Sequence, residues 1–151
     1  MLDQSDILML LEEALQEEGE VTVPAAGLSM GRRLARADGL VVRHATPCEV
    51  RFGSVVAFNV QGTRWVAHRV VWRFGRDSAW LCMTKGDNNL GPDLPFVRKD
   101  ELVGLVVGMY RGPKLIRFDR GPYRLGEVGR GLVGLLSVLA YSALRKLRNL
   151  S

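Results

Sequence analysis

Along the first twenty residues, apolar side chains recur at Ile7, Leu8, Leu10, Leu11, Ala14 and Leu15. That spacing lines one face of a helix. Ser5 is placed to cap it, Asp6 to lie against the positive end of its dipole, and Gly19 to stop it. Beyond Gly19 the pattern changes to short Val-rich runs broken by Gly and Pro. These predict strands at Val21–Pro24, Leu40–Arg43, Ser54–Val60, Arg64–Phe74, Ala79–Met83, Leu102–Tyr110 and Lys114–Phe118, with Gln61-Gly62-Thr63 turning the third onto the fourth. In Arg64–Phe74 a period of two puts Val66, His68, Val70 and Trp72 on one apolar face and Arg69 on the other. A last run, Gly131–Leu144, is almost wholly apolar and is followed by Arg145, Lys146 and Arg148.

The predicted fold is mainly β: coiled antiparallel strands with an amphipathic helix at the N-terminus and a second helix at the C-terminus. Residues 1–20 form the helix packed on the core, 21–118 the β domain, and 119–151 a basic, apolar helical tail, all within one domain. A chain of 151 residues with 47% hydrophobic content and 25% charge is long enough for a sizeable core.

Charge divides the chain unevenly. Residues 1–20 carry seven acidic groups and no basic one, whereas 111–151 carry nine basic residues against Asp119 and Glu127. A basic tail suits anionic lipid, an acidic partner or nucleic acid, or is simply a solvated face. The run 131–144 is short for a bilayer, which needs about 20 apolar residues. Its alternatives are an interfacial helix, with peripheral membrane contact through 131–148, or a helix packed on Ile7–Leu15 or in a self-association interface. With neither a signal peptide nor a clear transmembrane span, the expected location is cytoplasmic or peripheral to a membrane. Cys48 and Cys82 are too few for a disulfide framework and lack metal-ligand spacing, so shielded structural thiols are expected. His44 reads as a surface residue at a strand end.

Four segments hold groups suited to chemistry: Gly27-Leu28-Ser29-Met30, Ala67-His68-Arg69-Val70, Thr84-Lys85-Gly86-Asp87-Asn88-Asn89, and Asp93. A serine hydroxyl becomes a nucleophile when a neighbouring base takes its proton, and an imidazole serves best when a carboxylate fixes its tautomer. The set reads as a serine hydrolase. Each part also has a plain structural reading. His68 among Val and Trp suits a core residue, Ser29 a loop, and Asp87 a turn cap.

The order and spacing of these segments resemble the type I signal peptidases, in the archaeal and endoplasmic-reticulum branch that uses serine and histidine. The resemblance runs from about Val21 to Arg111. Asp38 lies where that family has a Gly-Asp before an apolar strand, residues 52–58 resemble its Gly-Asp-hydrophobic box, and Val103-Gly104 resembles the Val-Gly that closes its catalytic domain. The chain departs from the family at Arg32, where Pro is common, at Gly27, which lacks a hydroxyl for the oxyanion hole, and at Ser54, which replaces an Asp.

The resemblance implies a signal-peptidase/LexA-like catalytic core over 21–118 that needs no metal or cofactor. Ser29 would attack a peptide carbonyl and His68 would act as base. Asp93 would orient the imidazole, with Asp87 counted among the catalytic residues as an essential support that could also lie near the imidazole, and Lys85 would take a solvated or turn-stabilising role. The substrate would be an extended peptide or preprotein, a signal or leader peptide cut after small residues, pairing with the strand that enters Ser29. A non-catalytic peptide-binding module of the same fold is the alternative. A LexA-like regulator is disfavoured, and a nucleic-acid partner with it, because residues 1–20 hold one helix and not a helix-turn-helix.

Overall fold

The computed structural model describes residues 4–25, 30, 34 and 36–149. Helix α1 spans Gln4–Glu18, and Gly19, at φ 76°, ends it in the left-handed conformation that glycine adopts without penalty. The predicted cap Ser5 has no described side chain. Eight strands follow: β1 Glu20–Pro24, β2 Gly39–His44, β3 Val55–Val60, β4 Arg64–Phe74, β5 Leu81–Lys85, β6 Val97–Arg98, β7 Leu102–Arg111 and β8 Lys114–Arg117. The chain closes with helix α2, Gly121–Arg148.

The architecture is the mainly β fold with a helix at each end. All strand pairs are antiparallel, in the order β1-β2-β7-β3-β4-β5-β6, with β8 beside the end of β7. Successive side chains alternate between two cores. On one face Leu40, Val42, Val55, Ala57, Val106 and Met109 pack with Leu11 and Leu15 of α1. On the other Val41, Val56, Phe58, Val70, Leu105 and Val107 pack with Cys82 and Val97. Strand β1 lies at one end of the sheet order, where a further strand can add.

Four features differ from the sequence reading. Strand β6, Val97–Arg98, has no counterpart in it. A register shift between Val70 and Trp72 takes Trp72 out of the apolar row and leaves it 48% exposed. Residues 77–79 form a 3-10 turn, so β5 begins at Leu81 and carries Lys85 at its end. Helix α2 begins ten residues before the apolar run, at Gly121, with Pro122 in its first turn, where a missing N–H costs nothing. Its 28 residues are long and apolar enough to cross a membrane by length and composition, and 22% of the apolar window is buried.

Helix α2 lies close on the sheet at glycines. A Cβ on Gly53, which has φ +81°, would come within 2.7 Å of the Glu127 carbonyl oxygen, and one on Gly134 within 2.9 Å of Val71. Only glycine permits that approach.

Ahead of α2, Arg117 joins the ends of the fold. It donates to both oxygens of Glu20 at 2.9 Å and to both oxygens of Asp119 at 3.1 and 2.9 Å. These hydrogen bonds, reinforced by the guanidinium charge, hold Glu20 and Asp119 below the ordinary carboxylate range. A carboxylate lowered in the folded state stabilises it above the unfolded pKa, and that contribution disappears as pH falls through the folded pKa. Arg117→Met should therefore melt a few degrees below wild type at pH 7, and the gap should close below roughly pH 4. A gap that persisted unchanged in acid would show that Arg117 acts through packing.

Candidate active site

Strand β4 delivers His68 to the apolar face, opposite Val56 of β3 and edge-on to Phe58, with ring centroids 6.1 Å apart. Asp93 reaches it from the loop after β5. His68 Nδ1 and Asp93 Oδ2 are 2.5 Å apart, and the Thr84 hydroxyl donates to the same oxygen at 2.8 Å. The Asp93 N–H donates in turn to the Thr84 carbonyl at 2.8 Å, so Thr84 holds the loop by backbone and side chain together. His68 is 7% exposed and Thr84 fully buried. An imidazole bonded through Nδ1 to a carboxylate presents Nε2 as its basic nitrogen, and the carboxylate stabilises the cation formed when Nε2 takes a proton.

The two aspartates have different partners: Asp93 meets the imidazole, whereas Asp87 is bonded to Arg69. Both oxygens of Asp87 accept from Arg69, Nε and Nη2 each at 2.7 Å. Arg69 follows His68 on β4 and turns to the opposite face. There its Nη1 donates to the Gly53 carbonyl at 2.9 Å and to Glu127 of α2 at 2.5 Å. Burial at 2% exposure opposes its charge, but the hydrogen bonds and charges of Asp87 and Glu127 outweigh that and raise its pKa. Sequence reasoning passed over Arg69, Thr84 and Glu127. The bidentate geometry that Arg offers a carboxylate was the available signal for Arg69 beside an Asp-containing turn.

Lys85 is turn-stabilising but not solvated. It is 4% exposed, its Nζ donates to the Gly86 carbonyl at 3.1 Å, and burial lowers its pKa against the pull of Asp87 and Asp93. Ser54 remakes the turn of its box, accepting from the Arg51 N–H at 3.4 Å and donating its own N–H to the Arg51 carbonyl at 3.0 Å. Asp38 accepts from the Gly112 N–H at 2.6 Å. The Cys82 thiol, buried, is pushed up to about 12, whereas Cys48 and His44 are exposed, Cys48 against the expectation of a shielded thiol. Among the described residues no group of three His, Cys, Asp or Glu side chains is arranged to hold a metal.

Ser29, the predicted nucleophile, lies outside the described residues, as do Gly27 and Arg32. Its neighbour Met30 is described. Met30 lines a cleft of about 1010 Å³ that also contains His68 and Asp93. Val21 and Val23 of β1, Leu10 of α1 and Trp65 of β4 form apolar walls of the same cleft. It suits an extended, largely apolar chain segment.

The chain is similar to proteins named signal peptidase complex catalytic subunit SEC11. It is 32% identical over 101 residues to that of Sclerotinia sclerotiorum, 33% to that of Metarhizium robertsii and 34% to that of Fusarium vanettenii. Each match covers 60% of this chain and 58% of the relative, so the chain spans little more than half the length of those proteins. No family model and no solved structure matches it.

Proposed function

We propose that this chain, a relative of the type I signal peptidases of the endoplasmic-reticulum kind, is a serine endopeptidase that removes a signal or leader peptide after small residues. One observation carries the reading. A histidine bonded to a carboxylate lies in an apolar cleft whose wall includes Met30, the residue after Ser29. In this reading the Ser29 hydroxyl attacks the scissile carbonyl and His68 takes its proton. A tetrahedral intermediate follows, and His68 returns the proton to the leaving amine as the C–N bond breaks. Water then releases the acyl group from Ser29 by the same proton transfers. Asp93 holds the imidazolium throughout. The backbone N–H of Ser29 serves the oxyanion, since Gly27 brings no side-chain donor. The substrate backbone adds to the edge strand β1, and the cleft receives its side chains.

The roles of the two carboxylates are separable. Asp93→Asn should fold with a melting temperature near that of wild type yet lose most turnover, a change that costs about 10⁴-fold in a Ser-His-Asp triad. Asp87→Asn weakens the pairing of buried Arg69 and should also lower the melting temperature. The reverse pattern would exchange the two assignments.

The apolar side of α2 is proposed to attach the enzyme to a membrane that holds its substrate. Leu132, Leu136 and Leu139 are 52%, 65% and 57% exposed, and Arg145, Lys146 and Arg148 follow them. Burying three leucines is worth about 1.5–3 kcal/mol each, against about 1 kcal/mol for each basic residue near anionic lipid. The full chain should float with anionic liposomes, salt should weaken binding only partly, and changing the three leucines to Gln should abolish it. Full-length protein left in the soluble fraction would remove membrane attachment from the account.

A further inference from the structure

We infer that helix α2 is a positioning arm of the catalytic centre, acting on segment 86–93 through Glu127 and Tyr141. This inference deepens the peptidase reading and rests on it for its catalytic meaning. The contacts themselves do not depend on it.

Segment 86–93 carries both aspartates, and α2 meets it at two separated points. At the first, Glu127 accepts from Arg69 Nη1 at 2.5 Å while Nε and Nη2 of the same guanidinium hold Asp87. Arg69 is thus a rigid planar bridge from helix to turn. Removing the charge at one end frees the guanidinium to shift and takes Asp87 with it. The Glu127 side chain is 8% exposed, and its other oxygen accepts from Arg130 at 3.0 Å, so it is held on both sides. At the second point, fourteen residues along α2, the Tyr141 ring lies against Gly91. A Cβ built on Gly91 would come within 3.0 Å of that ring. Gly91 is two residues before Asp93.

Within the segment, the Asn89 N–H donates to the Gly86 carbonyl at 2.9 Å and the Asp93 N–H to the Thr84 carbonyl at 2.8 Å. The first bond closes the turn and the second ties Asp93 to the end of β5, so both aspartates hang from the Thr84–Gly86 stretch between the two helix contacts. A base held through its carboxylate is sensitive to sub-ångström changes in that carboxylate's position, and misplacement by 1 Å can cost about 10²-fold in rate. Glu127 and Tyr141 are positioning residues, acting through Arg69 and Gly91.

The test uses the full-length protein and two readouts. Amide hydrogen exchange over 86–93 requires no activity, and peptide cleavage supplies kcat and KM. Glu127→Gln should speed exchange in 86–93 about tenfold, lower kcat about tenfold and leave KM within about twofold, because substrate contacts are untouched. Glu127→Asp, which keeps the charge, should fall between Gln and wild type. Exposed Glu13→Gln, outside the network, should change neither readout. Should Glu127→Gln fail to fold, Tyr141→Leu probes the second contact by the same measurements, with an expected rise in exchange centred on Gly91. Unchanged exchange in 86–93 in the folded variants would overturn the inference, as would a rise in KM with kcat preserved. If the wild-type protein cleaves no peptide, the peptidase reading fails and the exchange result alone decides whether α2 positions the segment.

Discussion

His68→Ala should reduce peptide cleavage by about 10⁴-fold or more while leaving the fold intact, because loss of the base in a Ser-His-Asp unit removes nearly all of the unit's contribution at once. The imidazole is 7% exposed and edge-on to Phe58, so truncation leaves a small cavity and a modest loss of stability. The double variant with Asp93→Asn should be no slower than His68→Ala, since a carboxylate that acts only through the imidazole has nothing left to orient. A rate in His68→Ala within tenfold of wild type would exclude the proposed base.

Arg69→Met should produce the largest loss of stability of any single substitution in the network. The methionine fills much of the same space, but buried Glu127 loses its guanidinium partner and Asp87 loses both hydrogen bonds from Arg69. Removing one member of a buried ion pair costs about 3–5 kcal/mol, a large part of the roughly 5–15 kcal/mol that holds a domain together. At about 2–4 °C per kcal/mol for a chain of this size, the melting temperature should fall by roughly 10 °C. Asp87→Asn should cost less, because its side chain is 25% exposed and water replaces part of what it loses. A fall of only a few degrees in Arg69→Met would mean that the guanidinium's desolvation cancels its pairing.

Elements built on local periodicity were legible in the sequence. Leu11 and Leu15 face the core as their spacing requires, and the predicted strand runs match the observed ladder to within one residue at each end, apart from β5, which is displaced by two. The exceptions have local causes. Strand β6 has two residues, too few to show alternation, and the bulge after Val70 is a ladder feature with no mark in side-chain type. The start of α2 was hidden because 121–130 mixes Gly and Arg, which dilute the apolar pattern, although Pro122 marks a first turn. In the site, the family spacing carried His68 and Asp93, which lie 25 residues apart and meet only because β4 and β5 are paired. Nothing local could relate Arg69 to Glu127, 58 residues away, since that contact depends on where α2 lies on the sheet. The hydrogen bond from Thr84 to Asp93 depends likewise on a loop returning to its own strand.

The most direct measurement of the central claim is product mapping by mass spectrometry, with wild type and Ser29→Ala incubated in parallel with a peptide whose only small residues precede one bond. Wild type is predicted to cut once, after the small residues, and Ser29→Ala to leave the peptide whole while keeping the wild-type melting temperature. Cleavage at the same bond and rate by a folded Ser29→Ala protein, or no cleavage by wild type, would contradict a serine peptidase built on Ser29, His68 and Asp93.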